Sequence, residues 1–298
     1  MKKKTFGFQD KLVLRINAIL LTVFLIMVLY PFIYVISSSF SSGDALVEGK
    51  VWLFPVNFSL EGYQMVFSYT PIWSGYLNSL IYTVANTSLS VVLTIMAAYP
   101  LSRKDLSGHK FILFYFMLPM MFSGGLIPNF MLINQLGLMN SRWAIILPAA
   151  INVFNIIVAR TFFIQNIPGE LLEAAKIDGC NDIKFLLKIA IPLSGAIIAV
   201  ISLWVAVGTW NSYFSALIYL NERGKMPLQI ILRDLLILTS QIDFTSTSID
   251  PKMLQRSLYM SQLLKYGTIV IGSLPLMIMY PFVQKYFVKG VMIGSIKG

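Results

Sequence analysis

Six stretches of this chain, each roughly 20 residues long, contain no Asp, Glu, Lys or Arg: Ile16 to Ser37, Asn78 to Leu101, Phe111 to Ile133, Trp143 to Ala159, Pro192 to Ile218 and Tyr266 to Gln284. As a helix, a run of that length crosses the roughly 30 Å hydrocarbon layer of a bilayer. Inside that layer only helices and closed barrels satisfy their own backbone polar groups. The pattern therefore predicts an all-α, polytopic membrane helical bundle with six transmembrane helices. Composition agrees: 57% of the 298 residues are hydrophobic and 12% charged, too few charges to clothe a soluble globule.

Lys2, Lys3 and Lys4 precede the first stretch, as in a secretory signal, and Ser37 to Ser42 is small and polar enough to imitate a cleavage site. That stretch exceeds the usual apolar region of about 7 to 15 residues, and five more follow, so it reads as a retained span. Lys and Arg concentrate in short cytoplasmic segments. Here they cluster at the amino end, at Arg103, Lys104 and Lys110, at Arg160, Lys176, Lys184 and Lys188, and at Lys285, Lys289 and Lys297. Both termini are thus expected in the cytoplasm. The expected organisation is an amino-terminal segment 1–15, a membrane domain 16–284 with a cytoplasmic loop at 165–190, and a cytoplasmic tail 285–298. The net charge of +10 follows loop orientation and forms no stripe with stacking aromatics, which argues against a nucleic-acid partner. The single Cys180 excludes an internal disulfide, and the single His109 leaves no metal-ligand cluster.

The spans lack the buried ionisable residues that commonly serve as proton relays, and the chain has no GxxxxGK[ST] phosphate loop. Energy for uphill transport is expected from another subunit, although a sodium site built of carbonyls would escape this reasoning. An ion-coupled secondary transporter or a channel is the rival reading. Uncharged polar and aromatic groups occur instead: Asn129, Asn152 and Asn155 around the third and fourth spans, and Trp210, Asn211 and Tyr213 in the fifth. Such side chains suit a neutral polyol, and equally suit hydrogen bonding between helices or an interfacial position. Gly124-Gly125 followed by Pro128 marks either a hinge or re-entrant bend in the third span or close helix packing through glycine.

Pro168, Gly169 and Glu170 form a helix start, and Leu171, Leu172, Ala174, Ala175 and Ile177 give a short amphipathic helix. Asp178-Gly179 ends it, and a second helix is expected near Asp182. Pro227 to Ser240 carries Leu228, Ile231, Leu235 and Leu238 at helical spacing. This segment is expected to lie on the membrane or to meet an extracytoplasmic protein.

The run Glu173-Ala174-Ala175, three residues, Gly179, then Ile189-Ala-Ile191-Pro192-Leu193 resembles the EAA loop of ABC importer permeases, with Ile191 in place of the usual leucine. Pro119 to Pro128, Leu136-Gly137-Leu138, Ile146-Leu-Pro148, Trp210-Asn211-Ser-Tyr-Phe and Pro227-Leu-Gln229 extend the likeness, which runs from about Pro31 to Gly298. They resemble the carbohydrate-importer permeases of the LplC type, relatives of the maltose-importer subunit MalG. The resemblance implies the type I ABC importer permease fold in the bacterial cytoplasmic membrane, with no covalent chemistry in the chain. It also implies a second, homologous permease, two ATPase subunits that bind ATP and Mg, an extracytoplasmic solute-binding protein and a carbohydrate solute. Glu170, Glu173, Ala174, Ala175, Asp178 and Gly179 would form the coupling helix on the ATPase, while Lys289, Gly294 and Lys297 belong to a tail that would reach between the ATPases. The candidate solute-pathway residues are Asn129, Asn152, Asn155, Trp210, Asn211 and Tyr213.

Overall fold

The computed structural model describes residues 8–122, 124–240 and 251–295. Among these residues the regular structure is helical, apart from one isolated antiparallel bridge between Ser41 and Phe58. The chain runs through α1 (Phe8–Ser39), α2 (Gly43–Val47), α3 (Glu61–Ser68), α4 (Pro71–Ser102), α5 (His109–Met121), α6 (Leu126–Gln135), α7 (Trp143–Ala149) and α8 (Val153–Asn166). It continues through α9 (Gly169–Ile177), α10 (Asp182–Phe185), a π-helical turn (Leu186–Ala190), α11 (Ile191–Leu193), α12 (Gly195–Asn211), α13 (Phe214–Tyr219), α14 (Leu228–Ser240) and α15 (Pro251–Ser295).

Three of the expected spans are unbroken: Lys11–Ser39, Pro71–Ser102 and Gln255–Pro281 are long and apolar enough to cross a membrane. The other three are bent pairs. The axes of α5 and α6 differ by 113°, those of α7 and α8 by 45°, and those of Asp182–Leu193 and Gly195–Asn211 by 79°. Gly125, with φ +84°, stands at the first break, which favours the bend over plain glycine packing. At the second, Asn152 is extended and caps α8, accepting a hydrogen bond from the Asn155 amide. Near the third, the π-helical turn precedes Pro192, whose missing N–H cannot continue the regular ladder. Pro31, Pro100, Pro275 and Pro281 lie inside continuous helices, so proline alone does not decide where a span breaks.

The chain divides into two compact units. The first comprises Met1–Tyr69 and Leu232–Ser273. The apolar window of α1 buries none of its side chains, as suits a helix solvated by lipid. Ser37, Ser38, Ser39 and Ser41, which imitate a cleavage site in sequence, are buried. Ser37 Oγ donates to the Leu53 carbonyl (2.6 Å), and Ser41 Oγ accepts from the Val56 amide (3.0 Å), tying the end of α1 to the following loop. Tyr34 and Tyr266 meet edge to face at 5.8 Å, with their hydroxyls 3.2 Å apart. A Cβ on Gly62 would lie 3.0 Å from the Leu263 carbonyl oxygen, so α3 and α15 approach closely through glycine.

The second unit comprises Thr70–Ile231 and Leu274–Gly298. Here α4 packs chiefly against α8 and α12. Between membrane helices the hydrophobic effect gives no drive, and small residues let backbones approach for dispersion contacts. Ser90 and Ala98 on α4, Ala159 on α8 and Ala190 in the π-helical turn are fully covered, in keeping with this. One cluster joins Ile95, Tyr99 and Leu101 to Ile156, Phe163, Phe185 and Ile201; another joins Tyr82 to Ile133, Ile145, Tyr219 and Ile230.

The expectation for 227–240 requires a correction. A helix forms there, but Leu228, Ile231 and Leu235 are buried within the chain, beside Ile230 and Leu232. A Cβ on Gly75 would meet the Ile231 side chain at 2.6 Å and the Leu228 Cα at 3.1 Å, showing how tightly the start of α14 sits on α4. These apolar side chains are used internally and are not free for a membrane surface or another protein. Leu238 has no described side-chain environment.

Candidate functional site

The segment 165–190 is built by local chemistry. Pro168 precedes α9, and Gly179 at φ +72° ends it. The Cys180 amide donates to the Ala175 carbonyl (2.9 Å) and the Gly179 amide to the Lys176 carbonyl (3.0 Å), the paired bonds of a Schellman cap. Asn181 then opens α10, its side chain accepting from the Lys184 amide at 2.8 Å.

One face of α9 is held inward. Ala175 is 8% exposed and joins the core with Leu172 packed beside it, while Tyr99 stacks on Phe185 (6.3 Å) and meets Phe163 edge-on (5.8 Å). Glu170, Glu173, Ala174, Asp178 and Gly179 are exposed. The sequence reading placed Ala174 and Ala175 together at a docking surface; the structure separates them, with Ala174 outward and Ala175 inside. Ile177 and Ile183, by contrast, are 87% and 70% exposed, apolar side chains beside charged neighbours.

Arg103, just past the end of α4, fastens this hub. Its side chain is 13% exposed, its Nε donates to Asp105 (2.8 Å), and its two terminal nitrogens pair with Asp105 and Asp182. Lys176 Nζ lies 3.7 Å from Asp105. Hydrogen bonding to Arg103 holds the Asp105 carboxyl down at about 2, and the same bonding to Asp105 pushes the guanidinium above its ordinary value. Arg103, Lys104, Glu170, Glu173 and Lys176 rim a recess of about 670 Å³.

Toward the other end of α4, Asn140 adopts φ +57° and clasps the 220–226 turn. Its side chain accepts from the Asn221 and Glu222 amides (3.2 Å each) and donates to Glu222 Oε1 (2.7 Å). Asn78 on α4 donates to the Gly224 and Met226 carbonyls and accepts from Arg142 at 3.0 Å.

A third ensemble is a groove of about 380 Å³ between α4, α8 and α12, floored by Asn86, Asn155 and Thr209 and walled by Phe154 and Trp204. Asn86 Nδ2 donates to Thr209 Oγ1 (2.7 Å), and the Phe154 and Trp204 rings lie 5.8 Å apart. Of the sequence-predicted solute residues, Asn152 and Asn155 line this groove. Asn129, Asn211 and Tyr213 are exposed elsewhere, Asn211 donating to the Val207 carbonyl of its own helix; Trp210 is buried against Tyr76 at 5.7 Å. Asn86, Thr209 and Trp204 escaped the sequence reading, although Thr83, Asn86, Thr87, Ser90 and Thr94 already repeat at helical spacing. In the tail, Lys289 and Gly294 belong to α15, and Lys297 lies outside the described residues.

The model of the binding-protein-dependent transport system inner membrane component family matches residues 90–293. The polygalacturonan/rhamnogalacturonan transport system permease protein YtcP of Bacillus subtilis (strain 168) is 43% identical over 278 residues, covering 93% of this chain and 96% of that protein. Protein LplC of the same organism is 42% identical over 269 residues, covering 90% and 89%. In three dimensions the chain superposes, with a TM-score of 0.84 and 34% identity, on a chain of a bacterial ABC transporter involved in the import of the acidic polysaccharide alginate, covering 96% of this chain and 100% of that one. The match leaves nothing in favour of an ion-coupled carrier. This chain belongs to the family of binding-protein-dependent transport system inner membrane components, as a type I permease subunit of a bacterial ABC transport system.

Proposed function

We propose that the chain forms one half of the translocation path of an ATP-driven importer for oligosaccharides, and that these include uronic-acid oligomers of the class named for two of its relatives. A second, homologous permease supplies the other half. Two ATPase subunits bind ATP and Mg, and an extracytoplasmic binding protein delivers the solute. In this reading residues 1–15, the loop 165–190 and the tail 285–298 face the cytoplasm, and the tail, with Lys289, Gly294 and Lys297, contacts the ATPases.

The observation that carries the reading is the construction of α9. A helix closed at its carboxyl end by the Schellman cap, buried on its inner face at Ala175 and tied through Lys176 to Asp105 presents Glu170, Glu173, Ala174 and Ile177 outward. An apolar side chain ringed by charges suits a protein cleft that covers it. Closure of the ATPase pair would then move α9 as a rigid body. Because Asp182 is fastened to Arg103 and Phe185 to Tyr99, that movement would pull on the end of α4 and open the path outward, and hydrolysis in the partner subunits would reset it.

Glu173→Lys reverses a charge on the outward face without touching the core. It is expected to reduce recovery of the ATPase with the affinity-purified permease pair by at least about tenfold, with membrane insertion unchanged. Recovery equal to that of the unmodified protein would refute the docking assignment.

A further inference from the structure

We infer that Asn86, with Trp204 as its aromatic neighbour, forms a capture subsite for the uncharged hydroxyl face of the transported glycan. This deepens the proposed function and rests on it.

Asn86 occupies the middle of the 32-residue α4 and is 3% exposed. A helix of that length spans a bilayer, which puts this amide near the midplane, where an unpaired polar atom has no water to turn to. Among the described residues its single side-chain hydrogen bond goes to Thr209, and its Oδ1 has no partner. Whichever way round the amide lies, only one of its two polar atoms is paired by that bond. Asn86 lines a groove broken open at the α7–α8 kink, where Asn152 caps the start of α8. Substrate sites in membrane carriers form at such interrupted helices, where irregular backbone lines a cavity.

The walls narrow the ligand. Among the described residues lining the groove none is charged, so it offers no counter-ion to a carboxylate. Trp204 and Phe154 are 43% and 51% exposed, and their rings are tilted 35° to one another, an open apolar surface suited to the C–H face of a pyranose. The amides of Asn86, Asn152 and Asn155 with the Thr209 hydroxyl supply both donors and acceptors, as vicinal sugar hydroxyls require. The subsite reads hydroxyls and leaves any uronate charge to groups outside it.

In a binding-protein-dependent system, a capture site keeps the delivered sugar from leaving with the binding protein. Its loss lowers the sugar imported per ATP hydrolysed without changing how loaded binding protein docks. The test uses proteoliposomes containing the whole importer, with trigalacturonate and its fully methyl-esterified form as probes. Asn86→Leu and Trp204→Ala are each expected to lower sugar imported per ATP about three- to tenfold, the value of one hydrogen bond or one stacking contact. The loss should be equal for acid and ester, and the half-saturating concentration of loaded binding protein should stay put. An unchanged ratio, a loss confined to the acid, or a parallel shift in half-saturation would overturn the inference; the last would mark a packing defect. Failure of the unmodified importer to carry either probe would instead overturn the uronic-acid reading on which the inference rests, and is seen before any variant is made.

Discussion

Arg103 ties the 165–190 segment to the end of α4 through Asp182, and Arg103→Ala gives a result whose size the structure bounds. The guanidinium is mostly covered, whereas its partners Asp105 and Asp182 are 54% and 57% exposed. Losing one member of a fully buried pair would strand a charge at a cost of about 3–5 kcal/mol. Here both carboxylates regain water when Arg103 is removed, so each pair counts nearer the 0.2–1 kcal/mol of an exposed bridge, with some increment for the two-pronged contact to Asp105. Lys176, 3.7 Å from Asp105, partly compensates. The sum is about 1–2 kcal/mol, which loosens the loop from α4 by roughly 5- to 30-fold. Hydrogen exchange on the assembled complex would show it as faster exchange across Gly169–Phe185, with the middle of α4 unchanged. Arg103→Lys should fall between the two, since an ammonium cannot span both carboxylates in a fixed plane. Unaltered exchange in α9 and α10 in Arg103→Ala would refute the claim that this side chain holds the loop.

Two other perturbations follow from the packing and the charges. Gly75→Ala places a Cβ 2.6 Å from Ile231 and 3.1 Å from the Leu228 backbone, so α14 must shift; a loss of about 1–3 kcal/mol is expected, read as a lower melting temperature of the purified complex. The Asp105 carboxyl, held at about 2, lies below its unfolded value of about 3.9, so its stabilising effect is complete above that value and fades only as pH falls toward 2. The ATPase rate of the complex between about pH 5 and 8 should therefore carry no inflection from this latch, and Asp105→Asn should leave the shape of that profile unaltered.

Caps are short-range chemistry, which is why α9 could be bounded from sequence at Gly169 and at Asp178-Gly179, and the next helix near Asp182. The choice of which face turns inward is not short-range. Ala174 and Ala175 are neighbours of equal character, and only the positions of Tyr99, Phe163 and Phe185 decide that Ala175 is the covered one. Arg103 lies 79 residues before Asp182, and no local pattern marks them as partners. The spans were legible as apolar runs; their three breaks were less so, because Pro31, Pro100, Pro275 and Pro281 ride inside continuous helices while Gly125 and Asn152 mark the real breaks.

The candidate solute residues fall in different surroundings, Asn152 and Asn155 in the groove and the others outside it. Trp210 and Asn211 drew attention as a conspicuous local group, yet one is buried against Tyr76 and the other bonds to its own helix. The more telling signal was the repeat of Thr83, Asn86, Thr87, Ser90 and Thr94 along a single helix, where each side-chain oxygen lacks a partner among the described residues. A packing seam alone would need only small residues; hydroxyls and an amide there are costly unless something pairs with them. Of this series Asn86 is the member that lines the groove at the α7–α8 kink. In the proposed function one helix would hold both roles: Arg103, just past its end, would take the force of the coupling loop, and Asn86 at its midpoint would line the solute groove. A tilt of α4 would therefore change the groove at the same moment as it answers the ATPase.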